Sequence, residues 1–125
     1  MIFRISPWGV ISLCLISGCA IQREISFQSD IDPVLHDKCQ QCHLPPDGIG
    51  FVRTGLNMRS YSTLMQGTMF GPIIIPGDSK RSVINKLIEG RAGESMRMPH
   101  GDAKKLTAEE VEDFKLWVNQ GALNN

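Results

Sequence analysis

The sequence predicts an all-α domain of about four short helices, and three observations carry that expectation. Apolar residues recur at helical spacing in Ile31 to Cys42, in Val83 to Ile88 and in Val111 to Val118. Capping residues and glycines bracket those stretches, while Pro- and Gly-rich strings fill the spaces between them. At 125 residues the chain has room for one compact domain. It contains no internal repeat and no low-complexity tract.

Residues 1–18 read as an export signal: Arg4 in a short n-region, then an apolar stretch centred on Ile11 to Ile16 that is short for a membrane span of about 20 residues. Ile16-Ser17-Gly18-Cys19 resembles the lipobox of bacterial lipoproteins, a resemblance that implies cleavage before Cys19 and lipid attachment to its thiol. Residues 19–29 have no helical period and read as a lipid-anchored tether, and 30–125 as the domain. Helix one follows. Its stripe is Ile31, Val34, Leu35, Cys39 and Cys42, with Asp30 or Asp32 as N-cap and Pro33 in the first turn. The string Leu44-Pro45-Pro46-Asp47-Gly48-Ile49-Gly50 ends that helix near His43 and predicts a loop reaching Thr54. A short helix over Tyr61 to Gln66 stops at Gly67, and Ile73 to Ile75, between two prolines, reads as a loop packed on something apolar. Asp78 or Ser79 caps the next helix, whose stripe Val83, Ile84, Leu87 and Ile88 reads as core and which Gly90 ends. The last helix opens with Thr107 and Glu110 in a capping box, buries Val111, Phe114 and Val118 with Trp117 beside them, and stops at Gly121.

Cysteine arithmetic then narrows the chemistry. Of the four cysteines, Cys14 falls in the discarded signal and Cys19 at the lipid site, which leaves Cys39 and Cys42 in the mature domain. Cys39-Gln40-Gln41-Cys42-His43 is the C-x-x-C-H pattern of c-type haem attachment. Thiols at i and i+3 lie close enough on a helical turn to reach the two vinyl groups on one haem edge, and the next residue, His43, supplies an axial imidazole. A thioredoxin-like pair would need a βαβ setting, which is absent, and structural zinc would need two more Cys or His ligands at paired spacing, for which His36, His43 and His100 are the histidines that remain. One covalently held haem c is the cofactor expected. Its bulk compensates for an aromatic content of only 6%.

Candidates for the sixth iron ligand are Met58, Met65, Met69, Met96, Met98, His36 and His100. Met98 is preferred, because Arg97-Met98-Pro99-His100-Gly101 is an irregular segment leading into the last helix, where a loop can lay a flexible thioether on the iron.

From Ile31 to the C-terminus the chain resembles a class I monohaem cytochrome c. The resemblance rests on Ile31-Asp32-Pro33 before the C-x-x-C-H motif, Pro76-Gly77-Asp78-Ser79 before a helix, Met98-Pro99 followed by Leu106-Thr107-Ala108-Glu109-Glu110, and Trp117-Val118-Asn119-Gln120-Gly121-Ala122. The ending is similar to the planctomycete-type branch. That implies a cytochrome c-like fold with terminal helices packed across one another, a haem between them, Met98 as the methionine of a Met-Pro-Pro segment with His100 in place of the second proline, and a Pro76 carbonyl accepting the His43 N–H.

An iron with two protein ligands has no open position, so the function expected is one-electron transfer between exported redox proteins, on the periplasmic side of a membrane that holds the lipid anchor. The chain then acts as a carrier, not an enzyme. A haem-based gas sensor or peroxidase-like enzyme with a labile sixth ligand is the alternative. Thirteen basic and 13 acidic side chains balance, which speaks against nucleic acid as a partner. Charge is nonetheless uneven, with nine basic residues against four acidic ones from Arg53 to Lys105, a pattern that suits either an acidic redox partner or a plain solvated face.

Overall fold

The computed structural model of the chain describes residues 22–125. The expected signal peptide over 1–18, Cys14 and the lipid-attachment residue Cys19 lie outside the described residues. The described residues are helical and contain no strand, only an isolated bridge between Thr68 and Gly71. None of their helices is long and apolar enough to cross a membrane.

The first helical segment starts earlier than its periodicity suggests. Ser26 caps a π-helical turn, Phe27–Ile31, accepting the Ser29 N–H at 3.2 Å while the Asp30 carboxylate accepts the Ser26 N–H at 2.8 Å. The turn runs directly into α1, Asp32–Lys38. The N-cap is therefore Ser26, and neither Asp30 nor Asp32. The tether expected over 19–29 is likewise corrected at its C-terminal end, since Ile25 and Phe27 are 1% and 4% exposed. Partners remote in sequence cause this. The Phe27 ring packs on Trp117 and Tyr61 at centroid distances of 5.6 and 5.2 Å. Asn125 accepts the Phe27 N–H through its side chain at 2.8 Å and the Gln28 N–H through its main chain at 3.0 Å.

Cys39, with φ −122° and ψ −40°, breaks helix one before it resumes as α2, Gln40–His43. The segment from Leu44 to Thr54 is not all loop. It contains α3, Ile49–Thr54, closed by Gly55 at φ 73°, where left-handed backbone suits glycine. Two glycines and two prolines in seven residues hide this helix from pattern reading. The next helix, α4, Tyr61–Gln66, has Ser60 and Thr63 in a reciprocal capping box.

Ile73 and Ile74 are buried, and the Ile73 carbonyl accepts the Ile84 N–H at 3.2 Å. This is the packed loop expected. Helix α5, Val83–Ile88, begins at Ser82, later than Asp78 or Ser79, because residues 78–82 form a turn in which Asp78 O accepts both the Ser82 N–H and its hydroxyl. Its stripe divides. Ile84 and Ile88 are core, whereas Val83 is 42% exposed and Leu87 half-buried, so the expectation that all four are core is corrected. After a 3-10 turn, Glu94–Met96, comes α6, Ala108–Asn119, with the capping box of Thr107 and Glu110 formed as expected. Phe114, Trp117 and Val118 are buried and Val111 only half so. Helix α6 packs against the Phe27–Ile31 turn and α5, which brings the first and last helical segments of the described residues together.

Candidate functional site

The motif residues occupy the break between α1 and α2. The Cys39 carbonyl accepts the N–H groups of Cys42 and His43, each at 3.1 Å, so all three residues share one turn. Cys39 and Cys42 are half-buried and not joined to each other. Burial pushes the Cys39 thiol up to about 11, which keeps it protonated at neutral pH. Among the described residues no three His, Cys, Asp or Glu side chains gather to hold a metal ion.

His43 is half-buried with its outer ring edge against the Cα of Gly50 in α3. Burial lowers its pKa, the Leu56 backbone carbonyl works against that, and His100 adds to it. The ring is thus neutral at neutral pH, the form that offers a lone pair to iron. Its Nδ1 is sealed from solvent and has no partner in the polypeptide. Among the described residues no hydrogen bond joins the His43 ring to the Pro76 carbonyl that the resemblance implies as its acceptor.

Met98 is half-buried against the core, and its N–H donates to the Leu87 carbonyl at 3.2 Å, so its loop leans on α5. The other ligand candidates fall elsewhere. Met58 is core, Met65 packs beside the core, Met69 and Met96 are 62% and 52% exposed, and His36 and His100 face solvent.

Pattern reading missed two features of the site. Lys38, immediately before Cys39, is buried and its ammonium donates to the Glu110 carboxylate in α6. A lysine one helical turn from Leu35 and Cys42 on the apolar stripe was its signal. Gly50 was the other, hidden in an apparent loop. The basic excess over Arg53 to Lys105 is also reduced by pairing: Arg81, Arg91, Arg97 and Lys104 bond Asp78, Glu89, Glu94 and Asp37, while Arg53, Arg59, Lys80, Lys86 and Lys105 form no ion pair among the described residues.

Two free thiols on one turn, a neutral imidazole next to them with an orphaned buried nitrogen, and a half-buried thioether make a donor set that fits haem. The family model described as Planctomycete cytochrome C matches residues 39–102, just over half of the chain, from the first motif cysteine past Met98. Searches of curated proteins and of solved structures return no match. The chain belongs to the planctomycete cytochrome c family.

Proposed function

We propose that this c-type cytochrome carries single electrons through one haem, held by thioether bonds from Cys39 and Cys42 and ligated by His43 and Met98. Membership of a cytochrome c family implies covalent haem c. When bound, that group supplies a one-electron Fe(II)/Fe(III) couple. The observation that carries the reading is the single turn holding Cys39, Cys42 and His43, in which both thiols are free and the buried Nδ1 of His43 lacks a partner.

Each residue has a defined task. The two cysteines, whose turn the Cys39 carbonyl closes, would bond the haem and keep His43 beside it as an iron ligand. Met98 supplies a soft thioether that favours the reduced state, which raises the potential relative to two histidines. The half-buried setting of both ligands limits water at the iron. Export, a lipid anchor on Cys19 and placement on the periplasmic side of a membrane complete the proposal, and they follow from the sequence of residues 1–19. The partners are then other exported redox proteins.

The test is the absorption spectrum of protein made with a haem-attachment system. Absorbance that stays with the polypeptide through acid–acetone extraction supports covalent attachment, and Cys39→Ser with Cys42→Ser should abolish it. Reduced protein that does not bind CO promptly supports the carrier. Prompt CO binding would instead favour the gas-sensing or peroxidase-like alternative.

A further inference from the structure

We propose that Gly50 is a positioning residue for the iron ligand His43, its bare Cα serving as the surface against which the imidazole is set; this rests on the ligand reading of His43 given above. Gly50 lies inside α3 and is not among the glycines with positive φ, so its backbone conformation does not call for glycine. Within a helix, glycine is disfavoured against alanine. Space supplies the reason for it. A Cβ on Gly50 would stand 2.7 Å from both ring nitrogens of His43, and nearer still to Cε1, whereas unstrained carbon contacts lie at about 3.5–4.0 Å.

Neither side of the contact yields easily. The His43 carbonyl accepts the Met58 N–H at 2.9 Å, and the ring follows a cysteine whose thioether ties the turn to the haem. Helix α3 is held at both ends. A Cβ at Gly48 would lie 2.6 Å from the carbonyl oxygens of Cys42 and Leu44, and the Thr54 carbonyl accepts the Met69 N–H at 2.8 Å. With His43 held by iron, Gly50→Ala would displace the ring from the position that ligation requires. Val52, on the far side of α3 and 61% exposed, is the matched control.

The experiment compares haem-loaded Gly50→Ala, Gly50→Val and Val52→Ala with the parent by Fe(III) and Fe(II) spectra, by redox titration and by far-ultraviolet circular dichroism. The expected result is parent-like Val52→Ala, loss of much of the low-spin signal with a shifted potential in Gly50→Ala, and a larger loss in Gly50→Val. In a His43→Gly background supplied with free imidazole, Gly50→Ala should change nothing, because a ligand not tied to the backbone adjusts to the new methyl. Parent-like spectra and potentials in both Gly50 variants overturn the proposal. So does a shift that persists undiminished with free imidazole, or a haem-loaded Gly50→Ala that has lost helix. His43→Gly that keeps the parent spectrum without imidazole overturns the ligand assignment itself, whatever the Gly50 variants do.

Discussion

Glu110→Gln isolates the buried ion pair beside the haem motif. Glutamine has nearly the shape of glutamate and still serves as the N3 member of the capping box with Thr107, so the α6 cap is kept and only the charge is lost. The Lys38 side chain is 2% exposed and its ammonium bonds only Glu110, so the variant leaves a cation buried without its counter-charge. Breaking such a pair costs about 3–5 kcal/mol, and the 23% exposure of Glu110, which lets water reach the site, argues for the lower end. For a domain of this size roughly 3 kcal/mol corresponds to a fall in Tm on the order of 10–20 °C. The reverse change, Lys38→Met, should cost less, since Glu110 keeps the Thr107 N–H at 2.6 Å and some solvent. The double variant should recover most of the loss, because no charge is then buried. Denaturation of the haem-loaded protein checks all three. A cost for Glu110→Gln below about 1 kcal/mol, or a double variant no better than the worse single one, would refute the reasoning. The pH dependence has a definite sign. Burial pushes the Glu110 carboxyl up, but hydrogen bonds from Lys38 and Thr107 outweigh it and its pKa is lowered. Its stabilisation is thus present above the unfolded value of about 4.3 and lost as pH falls through the folded one. The gap between parent and Glu110→Gln should close on acidification below pH ~4.

Further outcomes follow from other contacts. Met98→His should lower the reduction potential in redox titration, and Met98→Ala should open the iron to prompt CO binding. Phe27→Ala removes a ring packed on Trp117 and Tyr61, and should cost about 3–5 kcal/mol in urea unfolding if the domain includes residues before 30. Thr107→Ala, which removes the acceptor of the Glu110 N–H, should cost about 1 kcal/mol.

Much of the candidate site was legible because its parts lie within four residues of one another. Cys39, Cys42 and His43 occupy one turn, and local helical geometry alone places them together. The same holds for the cap at Thr107 and Glu110, whose partners are three residues apart. Elements whose existence depends on distant partners were less legible. Phe27 gives no period by itself, and its burial is set by Trp117 and Tyr61. The Val83 to Ile88 stripe marked a helix correctly but did not tell which apolar residues face the core, because that depends on how α5 leans on Ile73 and the Met98 loop.

The sequence by itself therefore determined the chemistry of this cytochrome: a motif of thiols and imidazole read within one turn, set in helices whose caps and spacing are local. Only the tertiary structure decided the surroundings of that motif. It placed a glycine under the imidazole, a carboxylate 72 positions away on Lys38, and the far end of the chain against Phe27. The physical reason is range. Hydrogen bonds along a helix reach four residues, whereas close packing joins whatever surfaces the folded chain brings together.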